Sequence, residues 1–293
     1  MTETSQKTKV RDHWSARLTE WLPEFLNAHP VLSRFHRSGS VVLYGSTTLG
    51  VDDAFSDLDL WLLLSEGDLA RLDAVSETRF FAFEVDGKAG HVVAHTADEL
   101  RGKLEGCDMD TVYHLRNAEI LTDDLGAAAG LIEAARRPMR REVRDAFFFY
   151  HYVEMRSDHR ACDNPMDRTD PVALLMFLPK TIAHALRAAI VLDGEPYPYE
   201  KWLYQAACKT PTGRRLVPTV EAIIDLLGED QLRFPGPECD HPIGRELMTL
   251  RRTLIDAAHA RGNHAPWLNE WWLHMNQARD AILDVRWSGP SDR

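Results

Sequence analysis

Two aspartates set two residues apart, Asp57 and Asp59, open the apolar run Leu58-Asp59-Leu60-Trp61-Leu62-Leu63-Leu64. Side chains alternate along a strand, so both carboxylates point to one face. Like charges held that close repel unless a cation sits between them. Oxygen ligands at this spacing suit Mg²⁺ (or Mn²⁺), which characteristically bridges carboxylates to substrate phosphates. Upstream, the short apolar run Val41-Val42-Leu43-Tyr44 ends in Gly45-Ser46. Gly45 lets the backbone approach an anion, and the hydroxyl and N–H of Ser46 can donate to phosphate oxygens. Asp-Leu-Asp by itself describes a solvated strand edge equally well. Joined to Gly-Ser at the end of the preceding strand, it reads as a metal–nucleotide site.

Gly45-Ser46, a ten-residue spacer and Asp57-Leu58-Asp59 at the head of a strand together resemble the signature of the DNA polymerase β-like nucleotidyltransferase superfamily. Gly50 and Ser56-Asp57 resemble its small antibiotic-modifying branch, of the kanamycin and lincosamide type. The resemblance implies a mixed β-sheet nucleotidyltransferase domain and transfer of a nucleoside monophosphate, AMP from ATP or its counterpart from another nucleoside triphosphate. The acceptor would be a hydroxyl of a small molecule such as an aminoglycoside or lincosamide, with pyrophosphate leaving. Asp57 and Asp59 would be catalytic metal ligands, and Gly45 and Ser46 would bind the nucleotide.

Members of the superfamily place a third carboxylate on the next strand. Here the matching stretch is Gly90-His91-Val92-Val93-Ala94-His95, and the register puts His91 at the acidic position. Mg²⁺ prefers oxygen to imidazole, so Glu84, on the partner strand of the same hairpin, is expected to supply the missing ligand ahead of His91. Glu154 continues the apolar stripe Val143, Phe147, Tyr150. An acid there either pairs with Arg156 or Arg160 or faces a cleft as a base. The segment around it resembles the helix that carries the acceptor-deprotonating glutamate in kanamycin-type enzymes. Lysines on the helical domain of such enzymes reach the triphosphate, which singles out Lys180 and Lys201.

The elements that must position these residues follow from periodicity. A helix is predicted over 10–28, strands over 40–44 and 58–64, and a hairpin over 79–85 and 91–96 around Asp86-Gly87-Lys88. Helices are expected at 68–75 and 97–104, and beyond 131 only helices, over 139–158, 171–192, 199–208, 218–227, 243–261 and 267–285. The expected class is α+β, with a nucleotidyltransferase sheet domain over 1–133 and an all-helical bundle over 134–293.

With 34 Lys+Arg against 45 Asp+Glu the net charge is −11, which argues against a nucleic-acid partner and suits a cationic acceptor. The longest apolar runs are far below the roughly 20 residues that span a bilayer, so no membrane partner is expected. Four scattered cysteines without a C-x-x-C pair fit a reducing cytoplasm. A homodimer is left open, as are a protein or tRNA acceptor and a nucleotide-binding protein without turnover.

Overall fold

The computed structural model describes residues 3–35, 39–227 and 237–288. The chain divides into two compact units, Met1–Arg137 and Pro138–Arg293, the first α+β and the second helical.

The first unit opens with α1 (Glu3–Ala28), which begins earlier than its apolar periodicity predicts. Its Leu18, Leu22 and Leu26 are buried, flanked by Trp14, Trp21 and Phe25. Five strands follow: β1 (Ser40–Tyr44), β2 (Leu58–Leu64), β3 (Phe80–Val85), β4 (Lys88–Thr96) and β5 (Glu119–Asp123), in the spatial order β3-β4-β2-β1-β5. The β2/β4 pair is parallel and every other pair antiparallel. The β3–β4 hairpin turns through Asp86 (φ 50°) and Gly87 (φ 77°), the two positive φ values of the tight turn that matches strand twist. One sheet face is apolar: Val41, Leu43, Leu58, Leu60, Leu62, Leu64, Val92 and Ala94 pack with α1 into one core. Alternation therefore sends Asp59, Trp61 and His91 to the opposite face.

Between these strands lie α2 (Ser46–Leu49), α3 (Glu66–Asp73), α4 (Ala97–Glu105), α5 (Met109–Asn117) and α6 (Ala128–Arg136). A reciprocal capping box fixes the start of α4, Thr96 with Glu99. Four elements here are additions to the sequence expectation: α2, where a loop is predicted, together with α5, β5 and α6.

The second unit contains α7 (Arg141–Ala161), α8 (Asp163–Asp167), α9 (Pro171–Leu192), α10 (Glu200–Lys209), α11 (Pro211–Leu227), α12 (Pro242–His259) and α13 (Met275–Asp284). The limits of α9 coincide with the prediction. Asp170 accepts the N–H groups of Val172 and Ala173, and Gly194 follows with φ 82°. Gly228, placed by the sequence where a helix C-terminal cap is expected, lies outside the described residues. The single helix expected over 267–285 is corrected: two 3₁₀ turns, Pro266–Leu268 and Trp271–Leu273, precede α13. Tyr152 donates its hydroxyl to the carbonyl of Leu268 at 2.6 Å, pinning the tryptophan-rich stretch as turns. By length and apolarity α9 could cross a membrane. Its Leu174, Leu178, Ala185, Ala189 and Ile190 are instead buried, and it packs against α7, α10, α11 and α12 as the core helix of its unit.

Candidate active site on the sheet

Strand register assembles the site. Tyr44 on β1 stands opposite Asp59 on β2, and Asp59 stands opposite His91 on β4. Directly paired residues share a face, and Asp57, two positions before Asp59, points the same way. The His91 ring lies between the two carboxylates, with Nε2 3.0 Å from Asp59 Oδ1 and Nδ1 3.5 Å from Asp57 Oδ2. Phe80 stacks on that ring at 4.7 Å and 24°. The hydrogen bond to Asp59 raises the His91 pKa above its ordinary value, and the two carboxylate charges add to this against burial. One ligand atom from each of Asp57, Asp59 and His91 lies within 4.8 Å of the others.

Gly45 is required by this arrangement. Its φ of 82° lies in the left-handed region, and a Cβ built there would sit 1.9 Å from Asp59 Oδ2. Only glycine leaves room for the carboxylate beside the backbone. Ser46 and Thr47 follow at the start of α2, and their hydroxyl oxygens are buried without a hydrogen-bond partner. Buried hydroxyls are nearly always bonded, so two adjacent unsatisfied ones mark a place prepared for a polar ligand. Tyr44 stacks on Trp61 at 3.9 Å and 14°. Burial, and then the charge of Asp59, push its hydroxyl pKa above the usual range. The loop between Gly50 and Asp57 is tied by Asp53, whose carboxylate accepts from the Phe55 N–H and the Ser56 hydroxyl, each at 2.9 Å. Sequence reasoning missed Tyr44, Thr47 and Trp61. Their only signal is parity: Tyr44 ends the strand before Gly45, and Trp61 lies two residues past Asp59.

The structure brings together Gly45, Ser46, Asp57, Asp59 and His91, and it corrects the preference for Glu84. Glu84 shares the parity of His91 but pairs with Ala89 on the outer strand β3. That strand is two away from Asp59, roughly 10 Å at about 4.8 Å per strand. It is exposed and is not one of the three residues of the cluster.

The other expected site residues belong to the helical unit. Glu154, partly buried, accepts from Arg279 Nε at 2.7 Å, a partner from α13 that the helix pattern did not indicate. The two expected partners are engaged elsewhere, Arg156 over the Trp271 ring at 5.9 Å and Arg160 with Asp163. Lys180 and Lys201 are exposed, their ammonium groups over the rings of Phe177 at 5.8 Å and Trp202 at 4.7 Å. In the basic run of residues 136–144, Arg136 donates to the carbonyls of Arg116 and Ala118, while Arg141 and Arg144 share Asp145. Arg136 and Arg141 are nonetheless exposed, so the run is a solvated face with these local ties.

The donor set fits a divalent cation: two carboxylates held on one face, a nitrogen donor between them, and unsatisfied hydroxyls on the preceding turn. No protein family matches the chain, and no curated protein does. A solved structure, a nucleotidyltransferase-like protein from Exiguobacterium sibiricum 255-15, is similar to it with a TM-score of 0.47 and 13% identity, over 92% of this chain and 88% of that one.

Proposed function

We propose that the protein is a divalent-ion-dependent nucleotidyltransferase. It would transfer a nucleoside monophosphate, AMP from ATP in the first instance, to a hydroxyl of a small cationic acceptor of the aminoglycoside or lincosamide type, releasing pyrophosphate. One observation carries this reading: the Asp57–Asp59–His91 cluster stands against Gly45, next to two buried hydroxyls that have no partner.

Asp57 and Asp59 would hold a divalent ion, which would supply charge neutralisation and Lewis acidity at the phosphates. The chain's own groups would do the rest. The Gly45 main chain and the Ser46 hydroxyl would bind the triphosphate, the hydroxyl finding its missing partner there, while the place of a Gly45 Cβ is taken by Asp59. Glu154 remains the proposed proton acceptor for the acceptor hydroxyl, with Lys180 and Lys201 as proposed triphosphate contacts. A net charge of −11 favours a polycationic acceptor and disfavours nucleic acid. All four cysteines are free, in keeping with a reducing cytoplasm.

The test is incubation of the full chain with each α-labelled nucleoside triphosphate, Mg²⁺ or Mn²⁺, and a panel of aminoglycosides and lincosamides, with proteins and tRNA as further acceptors. Label on an acceptor with equimolar pyrophosphate is expected, and its abolition by Asp59→Asn. Nucleotide binding without pyrophosphate release from any combination would leave a binding protein in place of an enzyme.

A further inference from the structure

We propose that His91 makes the sheet-face site selective for a first-row transition ion, so that Mn²⁺ is bound in preference to Mg²⁺ through Asp57, Asp59 and an imidazole nitrogen. The inference rests on the metal-binding part of the function proposed above and not on the transfer chemistry.

Three observations lead there. The residues able to offer ligand atoms within 4.8 Å of one another are two carboxylates and one imidazole, an O₂N set. Mg²⁺ takes oxygen ligands in a tight octahedron and gives up its waters reluctantly. Imidazole suits transition ions, and carboxylate and water suit Mn²⁺, so a mixed set favours Mn²⁺ over Mg²⁺. A neutral nitrogen in place of an anion also lowers the site's charge, which costs affinity most for the ion that depends most on electrostatics.

Second, the imidazole is fixed in position. Its backbone is in parallel register with Asp59 and in antiparallel register with Ala82, and Phe80 lies against the ring. One ring nitrogen can ligate while the other keeps its N–H on a carboxylate. That is the usual arrangement of a histidine ligand, and both nitrogens already have a carboxylate within 3.5 Å. Third, among the described residues the group of ligand atoms lying together holds no third acid. Glu84 is on the outer strand, and of the two acids on the preceding loop Asp52 faces Lys88 at 3.6 Å while Asp53 accepts from the Phe55 N–H and the Ser56 hydroxyl.

The experiment uses the full chain and the metals alone, without nucleotide. Pulsed EPR of bound Mn²⁺ should show coupling to ¹⁴N that changes to ¹⁵N coupling when the protein is labelled with ¹⁵N-histidine. Competition titration should show the Mn²⁺/Mg²⁺ affinity ratio falling by about tenfold or more in His91→Asp, the scale of a perturbed ligand shell. Should His91→Asp fail to fold, the labelled wild-type spectrum decides alone.

Bound Mn²⁺ without nitrogen coupling, an affinity ratio within twofold of wild type in folded His91→Asp, or no Mn²⁺ binding at millimolar ion would each overturn the inference. Nitrogen-coupled Mn²⁺ in a protein that transfers no nucleotide would uphold it and defeat the transferase reading. Transfer with equal support from both ions and no nitrogen coupling would do the reverse.

Discussion

In the sheet unit, His91 has a carboxylate at each ring nitrogen, and its pKa is raised. Two histidines of the helical unit, His151 and His184, are set the other way. Nδ1 of His151 lies 2.9 Å from Nδ1 of His184, and its Nε2 lies 2.6 Å from the Tyr197 hydroxyl. Burial lowers both pKa values, that of His184 to about 4. His151 joins His184 and Tyr197, and its buried imidazole offsets desolvation with a hydrogen bond at each ring nitrogen. The sheet cluster is open: two like charges together, a donor between them, and the Ser46 and Thr47 hydroxyls unsatisfied. His151 has both ring nitrogens engaged by neutral partners, whereas the sheet cluster sets two carboxylates beside one imidazole.

The sharpest way to break this contrast is at the carboxylates. Asp57→Asn or Asp59→Asn should lower turnover by at least about two to three decades, roughly 3–4 kcal/mol of barrier, by removing a charged metal ligand. Their circular dichroism should stay that of the wild type. Near-normal rates in either variant would refute the metal site.

The His151–His184 pair should answer to acid instead. A histidine whose folded pKa lies below its unfolded value of about 6.5 stabilises fully above that pH and loses its contribution as pH falls toward the folded value. Besides His151 at its Nδ1, the charges that act on His184 are Arg187 and Lys180, which lower its pKa, and Glu154 and Glu200, which raise it. Between pH 6.5 and pH 4 the helical unit should lose up to about 3 kcal/mol from His184, because burial, and then the charge of Arg187, penalise its imidazolium form. Denaturant midpoints measured across that window check this, and His184→Gln should flatten the dependence.

Gly45→Ala joins the two kinds of effect. The added methyl meets Asp59 Oδ2 at 1.9 Å at a φ of 82°, so Asp59 must move and the backbone is strained by about 1–3 kcal/mol. Lower stability together with a rate as low as that of Asp59→Asn is expected from paired thermal and initial-rate measurements. A fully active Gly45→Ala would show that Asp59 need not stand where it does.

The smallest effect on stability is expected at Glu154. Replacing it with Gln weakens the bond from the half-exposed Arg279 and should cost about 1 kcal/mol of stability. A base role predicts in addition a roughly 10²–10⁴-fold fall in turnover at unchanged nucleotide affinity. Stability loss alone would leave Glu154 as a tie between α7 and α13.

Local signals were legible where they are strong. Asp170-Pro171 and Gly194 bracket α9, and the Asp86-Gly87 turn sets the β3–β4 hairpin, because caps and positive-φ turns are decided by a few neighbouring residues. β5 escaped because it is a short edge strand whose residues are all partly exposed or exposed, with no clean alternation to read. α6 has 9 residues and no side chain that caps its start, unlike α4 with its capping box. The C-terminal tryptophans misled in the opposite sense: Trp267 and Trp271 are spaced like a helix face, yet Tyr152 and Pro266 hold that stretch in 3₁₀ turns.

The sequence by itself determined that Asp57 and Asp59 share a face and that a glycine and a serine end the strand before them, because alternation along a strand is a property of the backbone alone. Only the tertiary structure decided that the third member is His91 and not Glu84, that Asp59 needs Gly45 to be without a side chain, and that Glu154 meets Arg279. Those outcomes depend on which strands lie beside β2 and in what register, and on how the helices pack. Burial of the whole core, between residues far apart in the chain, fixes them.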